Sequence, residues 1–376
     1  MPPVKYHTGK FPPDKLDLSQ IISLIGPANA ALARYDTLLG TMQNASVLLS
    51  PLTMQEAVLS SRIEGTQATM GEVLEYEAGA GADEETEPEK VGDIREVLNY
   101  RKAMHKAEAL LDELPLSGRL IRQVHEVLLD DVRGKTKTPG KYRRGQNAIG
   151  KPGCDEKSAR FLPIAPEHLT DGMKTWEKYI NAKKVPDPLI QLAVMHAEFE
   201  SLHPFWDGNG RLGRMLIPLF LFDKKLLTRP TFYISEYLED HRDVYYEKLL
   251  AVSRDDDWTG WCVFFLKALT AQANDNTSKA QSILKLYEEK KGWIAERTHS
   301  QYAIHALDFI FARPIFRSID FVNNAGIPEP TARRIIQLLR EEDDALLGEL
   351  RAASGRRSAV LCCPDLLNAA EGRKVF

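Results

Sequence analysis

Two strongly apolar stretches, DPLIQLAVMHAEFESL and RMLIPLFLFDKKLL, meet at a polar, glycine-containing segment of twelve residues, HPFWDGNGRLGR, running from His203 to Arg214. Their apolar residues recur at helical spacing, which predicts two core helices of a central domain with the polar segment between them. The same periodicity runs through IISLIGPANAALARYDTLLGTM, PLTMQEAVLSSRIEGTQATMGEVLEYE, VGDIREVLNYRKAMHKAEALLDEL, LSGRLIRQVHEVLLDDV and VYYEKLLAVSRDDDWTGWCVFFLKALTAQAND. Ser117 is placed to cap the fourth of these. The chain is therefore expected to be mainly α.

Strand signals are few. Between Gly140 and Pro166 short apolar pieces flank Gly-Lys-Pro-Gly, a turn signal that predicts a small β-hairpin. From Gln301 onward the helical patterns YAIHALDFIFARP, SIDFVNNAGI and PTARRIIQLLREEDDALLGEL precede RAASGRRSAVLCC, which suits a turn with a short strand. That order resembles a winged helix-turn-helix. The stretch Gly79 to Lys90, GAGADEETEPEK, reads as an exposed loop between helical blocks. The expected division is residues 1–90, 91–290 and 301–376: an N-terminal helical segment, a central core and a winged-helix-like domain.

The 49 basic and 53 acidic residues of the 376 nearly cancel, leaving a formal charge of -4 that advertises neither nucleic acid nor an anionic membrane. Cys154, Cys262, Cys362 and Cys363 lack metal-ligand spacing, and the adjacent pair suits no ordinary disulfide. A reducing cytoplasm is the expected location. The start, MPPVKYHTGKFPPDK, has no apolar signal core, and the run Met215 to Phe222 is far short of the roughly 20 residues that span a bilayer, so no membrane is expected.

Chemistry concentrates in His203 to Arg214. Gly208 and Gly210 can take backbone angles closed to other residues, so that N–H groups converge on an anion at the positive end of the following helix. Arg211 and Arg214, three apart, share one helix face and can both fork onto phosphate oxygens. Asp207 offers the hard oxygen that Mg²⁺ takes beside water and substrate phosphates. His203, restrained by Pro204, can remove a hydroxyl proton when its imidazole is neutral. Taken singly, these are a capping histidine, a plain turn and a solvated pair of arginines. Taken together, they read as a base, a metal ligand and an anion site.

The segment resembles the motif of the Fic family, HPFx(D/E)GNGRxxR, at His203, Pro204, Phe205, Asp207, Gly208, Asn209, Gly210, Arg211 and Arg214; Trp206 fills a variable position. PGKYRRGQNAIG and ARFLPIAPEHL resemble the family's flap, and Ser60 to Gly65, SSRIEG, resembles its inhibitory motif (S/T)xxxE(G/N). The resemblance implies a Fic-type helical bundle with a β-hairpin flap and an AMP transferase acting from ATP with Mg²⁺ onto a Ser, Thr or Tyr hydroxyl of a target protein. It implies that His203 is the base, that Asp207 holds magnesium, and that Asn209 with the Gly208 and Gly210 backbone holds the α-phosphate. Arg211 and Arg214 would anchor the outer phosphates, with Leu212 and Gly213 in the same ATP-binding turn. The target would pair with the flap at Asn147, Ala148, Ile149 and Gly150 by strand addition.

Ser60 and Glu64 stand at i and i+4, so their side chains can meet on a helix. By resemblance Glu64 pairs with Arg214, takes it from the γ-phosphate and inhibits transfer. Tyr246, beside Tyr245, falls either in an adenine pocket or in the core. His125, His196 and Cys262 lie on apolar stripes and read as satisfied buried side chains.

Residues 301–376 hold ten Lys plus Arg and ten Asp plus Glu. Without a basic footprint, docking or dimerisation is favoured there over DNA. Two alternatives remain: an enzyme that removes AMP, or does both, with Glu64 positioning water; and a DNA-binding regulator whose core senses nucleotide.

Overall fold

The computed structural model describes residues 2–79, 87–130, 132, 137–151, 153–341, 345–355 and 357–376. Residues 80–86 of the expected exposed loop, Pro152 of the expected turn and Arg356 lie outside the described residues.

In chain order the elements are β1 (Val4–Lys5), α1 (Leu18–Thr41), α2 (Ala45–Leu48), α3 (Ser50–Ile63), α4 (Met70–Glu77), α5 (Pro88–Leu111) and α6 (Gly118–Leu128). There follow β2 (Phe161–Leu162), α7 (Pro166–Ile180), α8 (Pro188–Leu202), α9 (Asn209–Asp223), α10 (Ser235–Asp240), α11 (Arg242–Asp255) and α12 (Trp258–Thr298). The chain closes with α13 (Ala303–Ala312), β3 (Ile315–Arg317), α14 (Ser318–Asn324), α15 (Glu329–Leu338), β4 (Gly348–Arg351), β5 (Val360–Cys362) and α16 (Pro364–Glu371). The fold is mainly α, as the periodicity predicts. No described helix is long and apolar enough to cross a membrane.

The chain forms two compact units that interleave along the sequence: residues 1–36, 59–66 and 98–274 in one, and 37–58, 67–97 and 275–376 in the other. The expected succession of three segments has a different outline, because α1, α3, α5 and α12 each cross a unit boundary along their length.

In the first unit α8 and α9 are the innermost helices. Leu189, Leu192, Met195 and Phe199 of α8, and Leu212, Leu216, Leu219 and Phe220 of α9, are all essentially inaccessible. A helix apolar on every side is stable only when enclosed. Asp187 caps α8, accepting from the Leu189 N–H at 2.7 Å, and Pro188 occupies the first helical position, where it forfeits no bond. Ser117 caps α6 as expected, accepting from Leu120 N–H at 3.4 Å.

The expected hairpin is reduced to one antiparallel bridge, Ile149 with Phe161. The ladder partner of β2 is β1, parallel, with Val4 opposite Phe161 and Lys5 opposite Leu162. In the second unit the elements run α13, β3, α14, α15, β4, β5, with β5 antiparallel between β3 and β4. The helical reading through Leu350 fails beyond Leu338: residues 348–351 pair with β5 instead, because strand pairing outweighs a local apolar rhythm.

Candidate active site

His203 ends α8 in the left-handed region (φ 47°, ψ 61°), a conformation costing a non-glycine residue roughly 1–2 kcal/mol. Pro204 bars the helix from continuing. The turn is held by Arg143, a buried residue whose Nε donates to the His203 carbonyl at 2.9 Å, whose Nη1 donates to Gly145 O at 2.9 Å and whose Nη2 reaches Leu202 O at 3.2 Å. A guanidinium on the last carbonyls of a helix satisfies acceptors that have no partner within it and suits the negative end of its dipole.

The His203 ring is half-buried, and its Nδ1 donates to Glu200 O at 3.4 Å, leaving Nε2 as the basic nitrogen. Loss of hydration pushes its pKa down to about 4, against the opposing fields of Glu64 and Asp207. The imidazole is therefore neutral at pH 7, the state a base requires.

After the loop, Gly208 caps α9 in the left-handed region (φ 76°), and α9 begins at Asn209, two residues before the expected start near Arg211. The first N–H groups of such a helix have no intrahelical partner and point at its positive end. Asn209 is engaged with the loop itself. Its Oδ1 accepts from Phe205 N–H and its Nδ2 donates to Phe205 O, each at 2.8 Å, so the amide is used in shaping the loop.

Asp207 accepts from its neighbour Gly208 N–H at 2.6 Å, and Arg211 Nη2 lies 3.3 Å from the same Oδ1. The carboxylate is 40% exposed, whereas Arg211 is buried. Among the described residues no three His, Cys, Asp or Glu converge as a metal cage. A single accessible carboxylate at an anion cradle fits Mg²⁺, which binds through one or two carboxylates with water and phosphates completing its shell.

Arg214, on the next turn of α9, is buried and triply engaged. Its Nε donates to Ser60 Oγ at 2.9 Å, and its Nη2 donates to Ser60 O and to Glu64 Oε1, each at 2.7 Å. Glu64 lies just past the end of α3, in a turn closed by Gly65 (φ 104°), rather than within the helix as the i,i+4 reading supposes. Burial pushes the Glu64 carboxyl up, but Arg214 outweighs it and holds the group below the usual carboxylate range. A Cβ at Gly210 would fall 2.1 Å from Glu64 Oε1, and only glycine lets that oxygen lie so close to the cradle.

Glu200 also approaches Arg214. Its Oε1 is buried without a hydrogen-bond partner among the described residues, and burial raises its pKa to about 8. A Cβ at Gly213 would fall 2.1 Å from that oxygen.

Tyr246 O–H donates to Ile63 O at 3.3 Å, and Arg242 donates to the same carbonyl at 2.6 Å, so both brace the Glu64 turn. Tyr245 is a core residue whose hydroxyl lies 2.9 Å from His196 Nε2, while His196 Nδ1 donates to Gly213 O at 3.1 Å. His125 is satisfied as expected, yet by the active loop itself. Its Nδ1 accepts from Gly140 N–H at 2.8 Å, its Nε2 donates to Asp207 O at 2.9 Å, and its ring stacks on Phe205 at 3.7 Å. Asn147 ties the flap to the same loop, donating to Phe205 O at 2.9 Å. Nothing in the sequence separates Arg143 from Arg144, or marks His125 as bound to the loop; both emerge only from the tertiary contacts.

Sequence comparison gives the arrangement its lineage. Residues 22–109 match the Fic/DOC family N-terminal region and residues 115–221 match the Fic/DOC family itself, between them more than half of the chain. The chain belongs to the Fic/DOC family. A probable protein adenylyltransferase of Aquifex aeolicus is 28% identical over 179 residues, 48% of this chain and 51% of that protein. The protein adenylyltransferase Fic of Culex quinquefasciatus is 28% identical over 224 residues, 56% of this chain and 40% of its own length. The chain thus spans about half or less of the curated relatives it matches. Among solved structures, a Fic family protein from Desulfovibrio desulfuricans covers 94% of this chain and 98% of its own, with a TM-score of 0.59 and 20% identity. A Fic domain containing signaling protein from Bacteroides thetaiotaomicron covers 69% of this chain and 97% of its own, at TM-score 0.54 and 18% identity. At such identities the likeness shows a shared Fic fold.

Proposed function

We propose that the chain transfers AMP from ATP to a Ser, Thr or Tyr hydroxyl of a target protein, and that Glu64 inhibits the transfer. The observation that carries this reading is the capture of Arg214 by Glu64 and Ser60 in the helix turn that would otherwise meet phosphate. The relatives' names as adenylyltransferases support the same reaction.

In this reading His203 Nε2 takes the proton of the target hydroxyl, whose oxygen attacks the α-phosphorus. The new O–P bond forms as the bond to the β-phosphate bridging oxygen breaks, and pyrophosphate leaves. The Gly208–Gly210 backbone and the start of α9 cradle the α-phosphate; Arg211, and Arg214 once released, hold the outer phosphates. Leu212 and Gly213 shape the same turn. Asp207 would hold Mg²⁺, which neutralises charge on the leaving phosphates. The target's backbone adds to the flap at Asn147–Gly150, on the edge opposite the one where the Ile149 N–H and carbonyl face Phe161.

Residues 301–376 act in target docking or dimerisation, in a cytoplasmic setting, in preference to DNA binding. A second reading, removal of AMP, rests on the Glu64 carboxylate, which stays 34% exposed and has a free edge on which to orient water. Incubation of the purified chain with α-labelled ATP tests the main reading. Label appears on the wild-type chain or an acceptor and is lost in His203→Ala while nucleotide still binds; transfer at the wild-type rate in that variant would remove His203 from the chemistry.

A further inference from the structure

The strand β2 is gripped on both edges. On one, Ile149 N–H donates to Phe161 O and Phe161 N–H to Ile149 O, both at 3.0 Å, and Arg160 N–H donates to the same Ile149 O at 2.8 Å. On the other, the amino-terminal arm adds β1, with Val4 N–H on Arg160 O at 3.2 Å and Tyr6 N–H on Leu162 O at 3.0 Å. So short a parallel pairing is not stable by itself. The residues that follow supply the anchor.

His7 is buried, with Nε2 2.8 Å from Glu198 Oε2 and Nδ1 2.7 Å from Ser253 Oγ. Tyr6 donates its hydroxyl to Glu198 Oε1 at 2.7 Å, and the His7 ring meets Trp258 edge-on at 5.0 Å. Glu198 lies on α8, five residues before His203, and Ser253 lies in the last turn of α11. Serine, histidine and carboxylate in hydrogen-bonded series have the order of a hydrolytic triad. The end of α11, however, presents carbonyls and not the N–H donors that an oxyanion requires. The cluster is a clamp.

We propose that the amino-terminal arm is a working part of the target-binding flap, with His7 as a positioning residue: β1 fixes β2, β2 fixes Ile149, and the His7–Glu198–Ser253 clamp ties this stack to the helix that carries His203. The flap's outer edge and the base then keep a constant separation when a target strand pairs. The arm's role in target binding rests on the adenylyl-transfer reading; its grip on the flap does not.

Amide hydrogen exchange on the full chain separates the two. In His7→Ala the amides of Ile149, Arg160 and Phe161 exchange at least about tenfold faster while those of α9 keep their wild-type rates. Ser253→Ala, which removes one bond of the clamp, gives a smaller acceleration at the same three amides. In a Glu64→Gly background His7→Ala raises KM for a protein acceptor at least about fivefold with ATP affinity unchanged, and His7→Gln restores part of it. Release of the Val4 and Tyr6 amides with Ile149, Arg160 and Phe161 still protected as in wild type overturns the proposal. So does uniform acceleration through α8 and α9 in both variants, which makes the clamp a support of the whole fold. The expected exchange pattern with no label transfer in any variant leaves the arm's grip standing and removes the adenylyl-transfer reading instead.

Discussion

At the scale of single residues, the environment of His203 fixes its pH behaviour. Its pKa is pushed down to about 4 by burial, so the basic form is complete at neutral pH and is lost only as pH falls through that value. The acid limb of kcat/KM therefore lies well below 6.5, the ordinary histidine value; a limb at or above 6.5 would show that the working imidazole is solvated or is not His203. Asn209 is a residue whose loop contacts were not legible in the sequence. The motif suggests a phosphate ligand, and in the structure its amide also makes one bond from each end to Phe205. Losing two buried hydrogen bonds costs on the order of 1–3 kcal/mol of loop order. Asn209→Ala is expected to lower kcat at least tenfold with a smaller change in nucleotide affinity, about 1.4 kcal/mol of barrier per factor of ten; a selective loss of ATP binding would restore the phosphate role.

At the scale of elements, the helices around the motif were legible because each carries its own periodicity, cap or breaker: Asp187 and Pro188 open α8, and His203-Pro204 closes it. β1 was not, since two residues carry no strand pattern and its partner Phe161 lies far along the chain. The end of α15 was missed for a related reason: Gly348–Arg351 becomes a strand only because Val360–Cys362 is there to pair with it. The elements after Gln301 also lean on earlier ones within their unit. α13 packs against α2, Ser50 Oγ donates to Ala312 O at 3.0 Å, and α4 packs against β3. Removing residues 301–376 therefore strips a shared core instead of excising a free module. The truncated chain is expected to melt at least about 5 °C lower; an unchanged midpoint in calorimetry would mean that these elements are independent.

At the scale of the whole molecule, what the sequence could not convey is the interleaving, since a contact between α2 and α13 leaves no trace in local spacing. What was most legible is the motif, because His203, Asp207, Arg211 and Arg214 are packed into twelve residues whose proposed roles constrain one another. Stability carries its own signature. His196 is buried and neutral, its pKa pushed down to about 3 by burial, so the unfolded chain binds a proton there that the folded chain refuses. Stability falls as pH drops from 6.5 toward that value, by about 1.4 kcal/mol per pH unit for this one group. In His196→Gln, denaturant midpoints between pH 7 and pH 5 should fall less steeply; an identical slope would mean that His196 does not set it.

In the proposed regulation Glu64 and the γ-phosphate compete for Arg214, a group that stays charged throughout. The most direct measurement is label transfer from α-labelled ATP by wild type, Glu64→Gly and the double variant Glu64→Gly with Arg214→Ala. Glu64→Gly is expected to raise self-modification at least about tenfold, close to 1.4 kcal/mol of barrier, and the double variant to fall back. Transfer that is unchanged or lowered in Glu64→Gly, with the fold intact, would rule out inhibition by Glu64 and make it a participant in removing AMP.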